Sequence, residues 1–301
     1  MRDNRTAMVM ASFLGDSLAL GVHWIYDTAR IQAEYGRVDS LLKPKPDSYH
    51  PTKEKGEFTH YGDQTLVLLE SVMARKGFRL DDFAVRWRSF FEQYQGYFDQ
   101  ATKATLRNFE LGKGPEDAGS SSNDLAGAAR IAPLVFWYRD DPDSLVEAAR
   151  AQTRMTHNNP LIADCAEFFA RTTRRVAKGE TPVSAMSRVG AERFGESHLW
   201  EWVQEGIRQK DEESVTTIAH FGQSCHVDEA FPGVVYLIAR HEDNLKEGLI
   251  QAVMAGGDNA GRAMIVGMVL GAYGGQEALP PEWVQDLKKA EEIRRYLEKL
   301  S

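Results

Sequence analysis

Four short segments set acidic, amide, hydroxyl or imidazole side chains against small residues, where a plain core helix would not need them. In Gly15-Asp16-Ser17 an aspartate interrupts an apolar helical stretch. It either caps a neighbouring segment or faces a polar cavity. Gly62-Asp63-Gln64-Thr65 stands before the apolar run Leu66 to Met73, and the pattern predicts Asp63 and Thr65 at a helix start. There they either cap orphan amides or offer oxygens to a hard cation such as Mg²⁺ or Mn²⁺. Thr156-His157-Asn158-Asn159-Pro160 puts a histidine just ahead of a helix cap, as a general acid or base, a ligand orienter or a surface residue. Gly256-Gly257-Asp258-Asn259-Ala260-Gly261, followed by Gly267, Gly271, Gly274 and Gly275, is the most distinctive of the four. Paired glycines let backbone approach closely and leave the Asp258 carboxylate projecting into a pocket. The GxGxxG and P-loop templates for phosphate binding both fail here.

The elements that must carry these segments read as helices. Met10, Phe13, Leu14 and Leu18 recur at three and four within Thr6 to Leu20. Asp81-Asp82 is expected to cap a helix and charge its first turn, ahead of the aromatic stripe Phe83, Trp87, Phe90, Phe91 and Tyr94. Asn158-Asn159-Pro160 predicts the start of a helix carrying Leu161, Cys165, Phe168, Phe169 and Val176. Asp228 opens another, and Asn244 with Glu247 forms a capping-box-like start for a third. Pro280-Pro281 leads into a terminal helix through Trp283, Leu287, Ile293, Tyr296 and Leu297. Strict alternation is nearly absent, so the expected fold class is all-α, about a dozen helices in a single domain over 1–301. The irregular stretches Lys43 to Tyr61 and Gly112 to Asn123 are long for connections inside a compact domain and are expected beside the site.

The 301 residues are 43% hydrophobic and 27% charged, with a formal charge of -8, which disfavours a general nucleic-acid binder. The one basic cluster, Arg171, Arg174, Arg175 and Lys178, lies at helical spacing and reads as a solvated face. Two cysteines, Cys165 and Cys225, fit a reducing cytoplasmic setting, and Asp3 and Asn4 stand where a secretory n-region would be basic. The most apolar stretch, Met264 to Tyr273, is far below the ~20 residues a membrane span needs, so no membrane partner is expected.

Taken in order, the four segments resemble the ADP-ribosylglycohydrolase superfamily, from about Arg5 to Gly275. Ser122-Asn123 with Ala129 to Leu134 resembles that family's Ser-Asn-Gly…Met-Arg-x-x-Pro-Leu segment, and Val227 to Tyr236 resembles the stretch before its last acidic motif. The resemblance implies an all-α fold, a cleft holding two Mg²⁺ or Mn²⁺ ions, and cleavage at the anomeric carbon of an ADP-ribosyl-type ligand. It makes Asp63, Asp258 and His157 the candidate catalytic residues, with Asp16, His23, Gln64, Asn123, Gly256, Gly257 and Asn259 on the substrate.

The match is incomplete where the metals would bind. The family's Thr-Asp-Asp-Thr corresponds to Gly62-Asp63-Gln64-Thr65, and its Asp-x-Asp-Thr to Asp258-Asn259-Ala260-Gly261. The glutamate seven residues after the first helix's aspartate is replaced by His23. Without these carboxylates two adjacent divalent ions are not screened from each other. The expectation is a degenerate metal site: one weakly held Mg²⁺ or Mn²⁺ on Asp63 and Asp258, or no metal, with His23 or His157 in polar roles. Two functions follow: a hydrolase acting on or binding ribosyl compounds with a reduced metal requirement, or an inactive binding or structural descendant like the J1 crystallins.

Overall fold

The structure, a computed structural model, describes residues 4–298. Its regular elements are α-helices, from Arg5–Ala19 to Ala290–Glu298, with two short 3₁₀ turns. They outnumber the expected dozen. Among the described residues no strand forms, and extended backbone meets only in isolated bridges, Ser120 with His157 and Asp124 with His226.

The centre of the molecule is a pair of helices from opposite ends of the sequence, Arg5–Ala19 and Asn259–Gly274. Both are apolar around most of their circumference, the pattern of a helix enclosed on all sides. They touch through small residues: a Cβ on Gly15 would lie 2.4 Å from the Ala263 carbonyl oxygen, and one on Gly267 would lie 2.3 Å from that of Ala11. Around this pair pack Pro142–Thr156 against Pro160–Ala177, His198–Arg208 against Val227–Arg240, and His60–Arg75 against Leu80–Glu92. The buried apolar side chains form one continuous cluster from Ala7 to Leu297.

Several starts obey their caps. Asn159 accepts from the Leu161 N–H at 3.0 Å with Pro160 in the first turn, and Asn244 accepts from the Glu247 N–H at 3.1 Å. Asp81 and Asp82 sit in the first turn of Leu80–Glu92, but Arg79 occupies the cap position. Asp82 instead bonds Ser71, Arg75 and Arg86, so it joins two helices rather than ending one. The terminal helix divides into Pro281–Asp286 and Ala290–Glu298.

The largest departure concerns the segment around Asp63. The helix begins three residues earlier than expected, with Thr59 as cap and His60, Tyr61 and Gly62 in the first turn. The signal lay in Thr59, whose hydroxyl accepts from the Tyr61 N–H at 3.1 Å. Asp63 follows Gly62 within the same first turn, so it still stands at the helix start.

Candidate active site

Asp16 organises one wall of the site. It is fully buried in the Arg5–Ala19 helix, and its carboxylate accepts from the Thr59 N–H (2.8 Å), the Thr59 hydroxyl (2.5 Å) and the Gly62 N–H (3.2 Å). It is a cap supplied from another helix. Burial pushes its pKa up to about 7, against the lowering pull of these donors. Gly62 is required here, since a Cβ would come within 2.4 Å of an Asp16 oxygen.

The cap aims the first turn of the His60–Arg75 helix at the site. His60 and Tyr61, both buried, pack with ring centroids 4.1 Å apart, and His60 Nε2 lies 3.3 Å from an Asp99 oxygen. Asp99 caps the Gln100–Glu110 helix through Thr102 N–H at 2.6 Å. Burial would raise the Asp99 pKa, but His60 and His157 outweigh it and hold this carboxylate low. None of His60, Tyr61 or Asp99 was singled out in the sequence, because a histidine followed by tyrosine in a loop-to-helix junction has no periodic signature.

Opposite stands Asp258, buried at the head of the Asn259–Gly274 helix but making no capping bond to it. Its Oδ1 lies 3.1 Å from His23 Nε2, and His23 Nδ1 lies 2.8 Å from His50 Nε2. A carboxylate only accepts, so the network assigns N–H groups to His23 Nε2 and His50 Nε2, a two-step donor chain ending on Asp258. Burial lowers the pKa of both imidazoles, which leaves them neutral. Gly256 and Gly257 have φ of +68° and +65°, and a Cβ on Gly257 would come within 2.1 Å of the Gln223 carbonyl oxygen. Asn259 donates to the carbonyls of Val253 (3.1 Å) and Val22 (3.3 Å). Buried Arg262 holds the Gly256 carbonyl. A Cβ on Gly261 would lie 2.9 Å from Asp258 Oδ2, so the glycine keeps that oxygen uncrowded.

Asp124 completes the acidic group. It accepts from the Ala126 N–H at 2.8 Å, and burial, then Asp258 and Asp99, raise its pKa far above the carboxylate range. It stands beside Asp258, whose charge favours the protonated form of Asp124. The sequence reading chose its neighbour Asn123, whose backbone carbonyl accepts from the Val227 N–H at 3.0 Å. His157 is buried, not on the surface. Its Nδ1 lies 2.9 Å from the Thr156 hydroxyl, its Nε2 has no hydrogen-bond partner, and burial with nearby Arg130 lowers its pKa to about 4. Other buried polar atoms also lack partners: His50 Nδ1, His60 Nδ1, the Tyr61 hydroxyl and Asn259 Oδ1. So many orphaned groups are costly unless water or a ligand satisfies them.

Two predicted residues point elsewhere. Asp63 Oδ2 is bound by Lys53 Nζ at 2.6 Å and by the Tyr94 hydroxyl at 2.9 Å, whereas Asp258 is held by His23. Gln64 accepts from Trp87 Nε1 (2.7 Å) and from buried Arg130 (2.8 Å), so its amide braces the core behind the site.

The residues present do not fit a two-ion centre. Among the described residues no group of three or more His, Cys, Asp or Glu is arranged to hold a metal ion. Ala260 presents a buried methyl, and the first turn of His60–Arg75 offers the imidazole of His60, the phenol of Tyr61 and one carboxylate, Asp63, which is paired with the Lys53 ammonium. Chemistry at this site is therefore derived from the side chains alone. Elsewhere, Arg171, Arg174, Arg175 and Lys178 line a surface depression shared with Glu180 and Glu192, which pair with Arg175.

Known proteins resemble this chain over nearly its whole length. The family model for ADP-ribosylglycohydrolase matches residues 1–301. The chain is 26% identical to crystallin J1A of Tripedalia cystophora, over 100% of this chain and 97% of that protein. It is 22% identical to the ADP-ribosylhydrolase ARH3 of Homo sapiens, over 93% of this chain and 88% of that protein. A solved structure described as an ADP-ribosylglycohydrolase-related protein complex superposes with a TM-score of 0.77 at 24% identity, covering 98% of this chain and 95% of the other.

Proposed function

The chain belongs to the ADP-ribosylglycohydrolase family, and from that premise we propose that it hydrolyses ribosyl compounds at the anomeric carbon without a two-metal centre. The observation that carries the reading is Asp258: a buried carboxylate held by a histidine donor chain, beside the buried carboxyl of Asp124 and among unpartnered polar atoms. Its negative charge suits an oxocarbenium-like transition state, and its Oδ2 is open to take a proton from the attacking water. Asp124, whose burial beside Asp258 favours its protonated form, supplies a hydrogen-bond donor to a sugar hydroxyl, a contact that metal ligation would otherwise provide. His157 Nε2 and the Tyr61 hydroxyl are further groups for the sugar.

The test is release of free ribose or ADP-ribose from ADP-ribosylated protein and from simple N- and O-ribosides, with chelator and with added Mg²⁺. The expected result is turnover that survives chelation and falls ~10²–10⁴-fold in Asp258→Asn. Metal-dependent turnover, or an unchanged rate in the variant, contradicts the reading. A second reading, a ribosyl-binding or structural protein without turnover, is favoured by the Lys53–Asp63 pair, which ties up with an ammonium the carboxylate that the sequence match retains. No release from any of these substrates by a folded protein selects it.

A further inference from the structure

Beside His23 the site opens into a cavity of about 250 Å³ whose walls include Trp24, Tyr26, Tyr49, Asp27 and Asp47. Tyr26 and Tyr49 are 49% and 50% exposed, and they are two of only four large hydrophobic side chains exposed among the described residues. Trp24 stands at φ +63°, a conformation that is a true outlier for a bulky L-residue. Two bonds impose it: Trp24 N–H donates to the Gly257 carbonyl at 3.0 Å, and Gly257 N–H donates to the Ile25 carbonyl at 2.9 Å. The indole is thereby stacked on His23 at 4.2 Å, with the Tyr49 ring edge-on at 5.0 Å. Strain of this kind, bonded in place by the same loop that presents Asp258, points to a function for the indole's position.

The mouth is acidic as well as aromatic. Arg30 also lines the cavity but is bound to Glu34 and Asp47, which leaves the carboxylate of Asp27, a cap that accepts backbone N–H groups, without a cation; deeper, Asp258 has buried Arg262 behind it. The Tyr26 hydroxyl is pushed up to about 12 by burial and then by Asp258, so the aromatic wall and that carboxylate face common ground. Aromatic faces backed by carboxylates favour a flat cation over a flat neutral ring.

We propose that the Trp24–Tyr26–Tyr49 mouth seats the group that leaves the sugar, and that this group is a positively charged N-heterocycle joined to C1′ of ribose. The assignment rests on the hydrolase reading above for its chemistry, though not for its binding. The C1′–N bond breaks with its electron pair passing to the ring nitrogen, which discharges the heterocycle's positive charge. The oxygen of water forms the new bond to C1′, and its proton passes to Asp258. The leaving group needs no proton of its own, so a wall of indole, phenols and neutral imidazoles is sufficient around it. The heterocycle becomes neutral on cleavage and loses its attraction to the mouth, which favours release.

Calorimetric titration of the full chain with 1-methylnicotinamide, a pyridinium cation with no glycosidic bond, against neutral nicotinamide tests the assignment. The cation is expected to bind ~5–10-fold more tightly, and Tyr49→Ala to remove most of that preference with an unchanged circular dichroism spectrum. Val85→Ala, a substitution at another exposed apolar side chain, is expected to leave it intact. Equal affinity for the two probes, or a preference unaltered in Tyr49→Ala, overturns the proposal. If neutral ribosides are hydrolysed while the probes bind equally, the mouth assignment falls and the hydrolase reading stands. If the preference is found without turnover of any riboside, the mouth is supported and the hydrolase reading falls.

Discussion

Asp16 couples the first helix to the helix that carries His60, and its proton makes that coupling sensitive to pH. Its folded pKa of about 7 lies above the model-peptide value of 3.8, so between these values the native state binds more protons than the unfolded chain. The stability it contributes is full below about 4 and is lost as pH rises through 7. His157 acts in the opposite sense, since its folded pKa near 4 lies below 6.5 and its contribution is lost as pH falls. Asp16→Asn is therefore expected to remove a decline in stability between pH 4.5 and 7.5 that the parent shows, read from urea midpoints across that range. Asp16→Ala, which strands the Thr59 and Gly62 donors, should cost ~2–4 kcal/mol at the upper end of that window, and more as pH falls. At this scale the sequence singled out Asp258 and His157, because small or capping residues flagged them, and His23 only through the family resemblance. It did not disclose His50, His60, Asp99 or Asp124, which lie in loops and caps and meet only through long-range packing.

Between elements, the decisive contact is the crossing of Arg5–Ala19 with Asn259–Gly274, where backbone meets backbone at Gly15 and Gly267. A methyl at 267 has no flexible neighbour to displace, because the atom it meets is the Ala11 carbonyl. Gly267→Ala should destabilise the protein by ~1–3 kcal/mol and shift both ends of the site, Asp16 and Asp258, relative to each other. Thermal unfolding checks the first effect. The second is checked by turnover in a variant that remains folded, where the expected outcome is a loss larger than for an apolar substitution on the solvent side. Helix existence was legible in the sequence from period and caps, as at Asn159 and Asn244. Helix phase was not, and the error at Asp63 shows why. A threonine cap served by an aspartate some forty positions away outcompetes a local Gly-Asp start, and no window of adjacent residues contains that information.

For the molecule as a whole, cationic side chains are set in and behind the site. Lys53 neutralises Asp63, and Arg130 and Arg262 sit buried behind the site, with pKa values lowered by burial to about 10. Calorimetry with Mg²⁺ or Mn²⁺ is expected to find no pair of tight sites, and chelator to leave the thermal midpoint in place; two tight sites would overturn the degenerate-site reading. No helix among the described residues is long and apolar enough to cross a membrane. The central helix pair has a further consequence, in time rather than space. Gly15 and Ala263 are separated by roughly 250 residues, which a ribosome takes on the order of 10–50 s to add. Throughout that interval the Arg5–Ala19 helix, apolar on nearly every side, has no partner for the face that will meet Asn259–Gly274. The growing chain thus carries an uncovered apolar helix face until its late partner is made.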